Sequence, residues 1–137
     1  NGVFLAEGSM ATDGTWNIGS TEKFVFLADG DVTIAGNIDV VPGGFLAVIA
    51  SGNINIAPAV TKIEGVFVSD GVIDTGISNR QLTGEGIFTG WEGINLQRNL
   101  DDDSQTPAEL FVYRPDLQLN AYRYLLWLGI NWREVAP

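Results

Sequence analysis

The sequence predicts an all-β protein: a right-handed parallel β-helix of about five coils, followed by a short, partly helical C-terminal cap. Three observations support this fold class. A residue pattern recurs five times, side chains alternate within each copy as in a strand, and turn-forming residues separate the alternating stretches. The copies begin, at spacings of 22, 22, 19 and 21 residues, at Phe4, Phe26, Val48, Phe67 and Phe88. Self-similarity at a period of this length is typical of a solenoid.

Small and apolar residues stand at every second position of each copy. Two residues after its start lie Ala6, Ala28, Ala50, Ser69 and Gly90, and four residues after it lie Gly8, Gly30, Gly52, Gly71 and Glu92. The next two alternate positions are occupied by Met10, Val32, Ile54, Ile73 and Ile94, and then by Thr12, Ile34, Ile56, Thr75 and Leu96. Because successive side chains of a strand point to opposite faces, one face of each copy is predicted to be apolar.

A second apolar series follows in each copy. It aligns Ile38 with Val60, and Trp16 and Leu100 are their equivalents. Gly, Asn, Asp and Pro between the two series predict corners. Stacked coils lie about 4.8 Å apart, so equivalent residues should form ladders. The uneven spacing predicts corners of variable length. It also departs from the strict multiples of six of left-handed hexapeptide helices, which favours a right-handed coil. The main alternative is an antiparallel sandwich.

Composition limits the classes of partner. The 137 residues are enough for one domain with a sizeable core. A formal net charge of −10 argues against nucleic acid and anionic membrane surfaces as partners. The chain has no cysteine and no histidine, which removes disulfides, thiolate metal sites and the usual general base. The apolar run at 124–130 is too short to span a bilayer, so we predict no membrane insertion by this segment.

The repeat stops at Leu100, and we divide the chain into solenoid repeats at 1–100 and a cap or brace segment at 101–137. Thr106 and Glu109 have the spacing of a capping box, which predicts a short helix at 107–113. Pro115 should end that helix, and a second helix is expected at 121–128. A solenoid needs its last coil covered, so the tail should act as a cap or lateral brace. Alternatively its apolar residues form an assembly surface: Trp127, Leu128, Ile130 and Trp132.

Three stretches, two in the coils and one in the tail, carry a resemblance to a known group of proteins. The coils "GDVTIAGNIDV" and "GGFLAVIASGNINIAPAVTKIEGVFVSDGVIDTG" and the tail "TPAELFVYRPDLQLNA…WREVAP" resemble the C-terminal region of large bacterial surface proteins. Some of those proteins have a pilin-like N-terminal anchor. The tail elements "YRPDL" and "W-x-EVAP" are the most specific part. The resemblance implies an extracellular β-solenoid module and brings no catalytic residue with it.

Paired carboxylates are the first candidate for chemistry. Glu64 and Glu85 each precede a glycine, 21 residues apart, so they should lie on adjacent coils. Carboxylates about 5 Å apart are the arrangement that retaining glycosidases use. Acidic residues before glycine are also ordinary solvated turn residues, and no third residue completes a site. We therefore predict no catalytic residue and no enzymatic activity.

Two further candidates concern ligands. Asp101, Asp102 and Asp103 offer oxygen ligands for calcium. Their spacing matches neither an EF-hand loop nor the Gly-Gly-x-Gly-x-Asp nonapeptide repeat, and the run is expected to be solvated. We predict no metal site and no cofactor. Trp16 should lie in the core. Trp91 should face outwards, where it could stack on a sugar, and the alternative is that it packs under the tail.

The sequence-based prediction for function is a non-enzymatic extracellular structural module, located at the cell surface. It would assemble into, or decorate, a surface filament, with adhesion as one use. The alternative is a carbohydrate-binding or polysaccharide-degrading β-helix protein. The first coil has no evident cap, so Val3, Phe4 and Leu5 are predicted assembly residues. The expected partner is a second copy, as in a homo-oligomer, or the upstream coils of a longer chain.

Overall fold

The computed structural model describes residues 1–102 and 104–121. The strands in these residues are β1 (Gly2–Ala6), β2 (Met10–Ala11), β3 (Trp16–Ile18), β4 (Lys23–Ala28), β5 (Val32–Ile34), β6 (Ile38–Val40), β7 (Phe45–Ala50), β8 (Ile54–Ile56), β9 (Lys62–Ser69), β10 (Val72–Asp74), β11 (Leu82–Gly90), β12 (Gly93–Asn95) and β13 (Glu109–Val112). The helix is α1 (Pro115–Ala121).

The strands form two parallel sheets that wind as a β-solenoid of about four turns. The larger sheet has the order β1-β4-β7-β9-β11-β13, with β3 joined to β6 and β6 joined to β9. The smaller sheet has the order β12-β10-β8-β5-β2. All pairings between the described strands are parallel, which excludes the antiparallel sandwich. The predicted parallel β-solenoid is confirmed. Five equivalent strands stack in register, and the chain makes about four full turns between the first and the last of them.

The predicted ladders form the core of the solenoid. The register of the larger sheet stacks, in successive coils, Phe4, Phe26, Val48, Phe67 and Phe88. Two residues further along, Ala28, Ala50 and Ser69 are buried, so small side chains occupy the ladder beside a corner. The aliphatic residues of the smaller sheet that are at most 2% exposed are Val32, Ile34, Ile54, Ile56 and Ile73. Burying each such side chain stabilises the fold by roughly 1.5–3 kcal/mol.

The uneven repeat spacing arises from corners of different length. Ile38 pairs with Ile63, 25 residues later, because the loop after β8 is long. In the same coil the bend at 41–44, which separates β6 from β7, has no counterpart, because β9 runs on without a break. The alignment of Ile38 with Val60 is therefore wrong, although Trp16 pairs with Ile38 as predicted. The longer loop after β8 and the missing bend partly offset each other, so Val48 and Phe67 still pair in register.

The short helix predicted at 107–113 is wrong, since the chain forms β13 there. This strand pairs with Leu82–Glu85 of β11, whose open edge offers backbone partners, whereas a one- or two-turn helix has little intrinsic stability. The side chain of Glu109 does not close a capping box. Its Oε1 accepts hydrogen bonds from the Arg98 N–H at 2.7 Å and from Thr75 Oγ1 at 2.9 Å.

Pro115 begins helix α1 instead of ending a helix. Proline suits the first turn, because an N–H there needs no partner within the helix. Leu117 and Ala121 are buried, and α1 packs against β7. Of the second helix predicted at 121–128, only Ala121 falls within the described residues, as the last residue of α1.

Candidate functional site

Neighbouring strands bring charged side chains together on one flank of the solenoid. Asp39 lies in β6, Lys62 and Glu64 lie in β9, and Glu85 lies in β11. With the segment that follows β13 they surround a cavity of about 510 Å³, lined by Asp39, Val40, Val41, Pro42, Lys62, Glu64, Glu85, Arg114 and Asp116. Four carboxylates and two cations line this cavity, so its net charge is negative.

Glu64 is buried at the centre of this cluster, and both of its oxygens have partners. Oε1 lies 2.7 Å from Lys62 Nζ, and Oε2 lies 3.1 Å from Arg114 Nη1. The backbone N–H of Val40 also donates to Oε2. A buried carboxylate is costly unless it is paired and hydrogen-bonded. Glu64 meets that requirement by joining two coils to the segment after β13.

Lys62 lies between two carboxylates. Its Nζ is 2.8 Å from Asp39 Oδ1 as well as close to Glu64. The hydrogen bond to Asp39 is the main cause that raises the pKa of Lys62 above its usual range, and the bond to Glu64 adds to it. Lys62 therefore stays protonated and neutralises part of the carboxylate charge of the cavity.

Arg114 holds residues 109–121 against the flank, and we call this segment the flank brace. Its Nη1 donates to the Val40 carbonyl at 2.8 Å, while Nε and Nη2 donate to the two oxygens of Asp116 at 3.1 and 2.7 Å. The hydrogen bond to Asp116 raises the pKa of Arg114 and lowers the pKa of Asp116. Near the end of the brace, Asn120 Nδ2 donates to the Gly44 carbonyl at 3.2 Å. The brace thus runs back from β11 to β7.

The structure brings Glu64 and Glu85 into register on adjacent strands, as their spacing predicts. Each is followed by a glycine with positive φ, 142° at Gly65 and 152° at Gly86. A Cβ on Gly86 would lie 1.9 Å from the Gly65 carbonyl oxygen. The recurring glycine of the two Glu-Gly pairs therefore reflects a backbone requirement of the stacked strands. Both carboxylates line the cavity, but Glu64 is bound by Lys62 and Arg114, unlike the two reactive carboxyls of a glycosidase.

The aspartate run that was considered for calcium lies only partly in the described residues, because Asp103 falls outside them. Asp102 Oδ1 accepts a hydrogen bond from the Ser104 N–H at 3.0 Å, and hydrogen bonds from Ser104 lower the pKa of Asp102. This is a local turn interaction. In the described part of the chain, no group of three or more His, Cys, Asp or Glu residues is placed to hold a metal ion.

Trp91 faces outwards as expected, whereas Trp16 packs against the core without being fully buried in it. Trp16 is half-buried, and its ring centroid lies 5.2 Å from that of Phe26. Trp91 is 76% exposed. Trp91 does not line the charged cavity, and no other aromatic side chain of residues 1–102 and 104–121 does so. A sugar in that cavity would therefore have no stacking platform among these residues.

Within the described residues, β1 is an edge strand of the larger sheet. Strand β1 pairs with β4, and none of the described strands pairs with its other side. Its apolar residues are exposed: Val3 by 54%, Phe4 by 47% and Leu5 by 68%. An apolar cavity of about 210 Å³ opens there, lined by Phe4, Trp16, Ile18, Phe24 and Phe26. The other predicted assembly residues, Trp127, Leu128, Ile130 and Trp132, lie outside the described residues.

Arg98 is an important residue that the sequence did not single out. It is 6% exposed, and its guanidinium donates to three backbone carbonyls on neighbouring coils: Ala57 at 3.1 Å, Pro58 at 2.9 Å and Thr75 at 2.7 Å. Burial lowers the pKa of Arg98. A single arginine near the end of the last repeat has no periodic signal that could have identified these contacts.

The fold defines this chain as a parallel β-solenoid with a braced flank. No family model, no curated protein and no solved structure matches it. No helix within residues 1–102 and 104–121 has the length and apolar character needed to cross a membrane.

Proposed function

We propose that this chain is a non-enzymatic structural module of the cell exterior, a β-solenoid rod that builds or decorates a surface filament. It lengthens by receiving another coil on the open edge of β1. The observation that carries this proposal is the exposure of Val3, Phe4 and Leu5 on that edge. Unpaired edge strands readily pair with further strands, and a solenoid end needs a partner or a cap.

The composition of β1 supports this role. Natural edge strands are protected by charged residues, proline or bulges. The segment Gly-Val-Phe-Leu-Ala contains none of these, and its register with β4 is unbroken from Gly2 to Ala6. The edge therefore presents free backbone groups and an apolar surface together, which suits an in-register coil.

The charged cavity favours a structural role over the alternative of a carbohydrate-binding or polysaccharide-degrading protein. Its central carboxylate, Glu64, is occupied by Lys62 and Arg114, so its charge serves to hold the flank brace. A polysaccharide site would gain from exposed aromatic side chains beside the acidic residues. The described lining of the cavity has none.

Adding a coil tests the proposal directly. A duplicate of residues 23–44 placed immediately before Asn1 is in register with β1, because Gly2 pairs with Phe24. We expect amide hydrogen exchange in β1 to slow at least tenfold and the free energy of unfolding to rise. The control carries the same residues in shuffled order. Equal exchange rates in the two proteins would contradict a stacking role for β1.

The location at the cell surface has a separate test. Antibodies against the exposed segment around Ile77, which is 78% exposed, should label intact, unpermeabilised cells. Electron microscopy should place the label along a filament or appendage. Labelling only after permeabilisation would contradict the extracellular assignment.

A further inference from the structure

We propose that the coil received by β1 is the opposite end of a second copy of this chain, so that copies stack head to tail. This inference rests on the proposed structural function and adds the partner and its register. It starts from strand β11, which is longer than the strand that covers it. Strand β13 pairs with Leu82–Glu85 alone. None of the described strands covers the remaining five positions, Gly86–Gly90, on that side.

The uncovered part of β11 and the open strand β1 match in length and phase. Strand β1 also has five residues, Gly2–Ala6. The ladders that run through β4, β7 and β9 place four residues of β1 and four of β11 at equivalent positions: Val3 with Ile87, Phe4 with Phe88, Leu5 with Thr89, and Ala6 with Gly90. Strand β1 of a second copy therefore continues the existing coil-to-coil interface beyond β11 without a change of register.

The aromatic ladder supports the same junction. Phe4 stacks on Phe26 with ring centroids 5.1 Å apart, and Phe67 stacks on Phe88 at 5.3 Å. In the head-to-tail arrangement, Phe4 of the incoming copy lies over Phe88. Strand β13 ends short of this position, although Phe111 contacts the Phe88 ring edge-on at 5.0 Å. The incoming ring would pack beside Phe111 as well.

Among the described strands, the smaller sheet also has an uncovered edge at each end. Strand β12 is its edge at one end and β2 is its edge at the other. Ile94 and Leu96 are 40% and 59% exposed at the β12 end. The ladder of Ile94 runs through β10, β8 and β5 to Met10, so Met10 of the second copy would lie over Ile94. Both sheets thus require the same displacement of one coil, and the two junctions form together.

This contact joins different surfaces of the two copies. Heterologous contacts of this kind give filaments unless the rotation between copies closes a ring. The same interface therefore supplies a physical route from the single module to the filament of the proposed function.

Variants that block one end each test the direction of stacking. Phe4→Lys places an ammonium group on the β1 end, and Ile94→Lys places one on the β12 end. Ile77→Lys is the matched control at an exposed corner. Mass is measured by sedimentation over a wide concentration range, and circular dichroism checks that each variant is folded.

Head-to-tail stacking predicts a distinctive set of masses. The wild type and Ile77→Lys should grow beyond the dimer with concentration, whereas each blocked variant alone should need at least tenfold higher concentration to associate. An equimolar mixture of the two blocked variants should form dimers and no larger species. The free β12 end of Phe4→Lys can bind the free β1 end of Ile94→Lys, and both outer ends of that dimer are blocked.

Three results would overturn the proposal. A wild type that is monomeric at every concentration would exclude the second copy as partner, although the added-coil experiment could still support stacking on β1. Dimers of Ile94→Lys alone would mean that like ends meet. Association that begins only after deletion of residues 122–137 would mean that the chain's own tail occupies the β12 end.

Discussion

Arg114 Nη1 lies 3.1 Å from Glu64 Oε2, although 50 residues separate them in the chain. Both side chains are largely buried, with 13% and 7% of their surface exposed. The pair joins the flank brace to strand β9, and Glu64 extends the connection to Lys62 of its own strand. The charged side chains of this cavity therefore bind the flank brace to the solenoid.

Removing the cation of this pair should destabilise the fold. Arg114→Met keeps an aliphatic stem of similar packing but removes the guanidinium, so Oε2 of the buried Glu64 loses its charged partner. We expect the free energy of unfolding to fall by about 2–3 kcal/mol, because the buried Glu64 loses one of its two charged partners and keeps only Lys62. Urea unfolding monitored by fluorescence measures the change. The control is Arg80→Met at an exposed corner, for which we expect a change within about 0.5 kcal/mol. Equal losses of unfolding free energy in the two variants would contradict a stabilising role for the Arg114–Glu64 pair.

Asp116 makes the flank brace sensitive to acid. Its pKa lies below the ordinary value of 3.8, mainly because Arg114 donates hydrogen bonds to it. A carboxyl group with a lowered folded-state pKa stabilises the fold above its unfolded pKa, and that contribution disappears as pH falls through the folded-state pKa. We therefore expect the free energy of unfolding to decline below about pH 4, and Asp116→Asn to reduce that decline. Urea unfolding at a series of acidic pH values tests this. An identical pH profile for the variant would show that Asp116 has no part in it.

Carboxyl NMR titration supplies the control for this assignment. Arg114→Met removes the donor that lowers the pKa of Asp116, so the pKa of Asp116 should move up towards 3.8 in that variant. Absence of movement would assign the lowered pKa to another cause.

The sequence was sufficient for the elements whose signal is periodic. The ladder from Phe4 to Phe88 could be aligned because each coil repeats the same alternation of apolar and small side chains. The alignment of Ile38 failed because two corners change length in opposite directions within one coil, and periodicity fixes only their sum. The local capping-box pattern also gave a wrong prediction in the tail. Pairing with β11 determined the structure there, and the segment that contains Glu109 forms a strand.

The charged cavity was predictable only in part. The Glu-Gly spacing correctly placed Glu64 beside Glu85 on adjacent strands. The partner of Glu64 was not predictable, because Arg114 reaches it only after β13 turns the chain back along the flank. Contacts that depend on such a reversal leave no periodic trace in the sequence.

Arg98 should be sensitive even to replacement by lysine. Its planar guanidinium donates to carbonyls of Ala57, Pro58 and Thr75, and an ammonium group on a flexible stem cannot reproduce that geometry. We expect Arg98→Lys to lower the free energy of unfolding by about 2–3 kcal/mol, because buried carbonyls lose their donors. Urea unfolding measures the effect, with Arg80→Lys as the exposed control. A loss below about 0.5 kcal/mol would mean that water replaces the guanidinium at these carbonyls.

Gly86 and Gly14 separate the two reasons for which a solenoid uses glycine. Both have positive φ, 152° and 63°, so alanine is strained at either position. Only Gly86 also faces a neighbouring coil, where a Cβ would lie 1.9 Å from the Gly65 carbonyl oxygen, while nothing lies within 4 Å of a Cβ on Gly14. We expect Gly14→Ala to cost about 1 kcal/mol, from backbone strain alone. Gly86→Ala should cost at least about 3 kcal/mol, because the strands must also separate locally. Thermal unfolding of both variants measures the difference. Similar losses of stability in the two variants would mean that the spacing between β9 and β11 adjusts freely. That result would contradict the tight stacking of these coils.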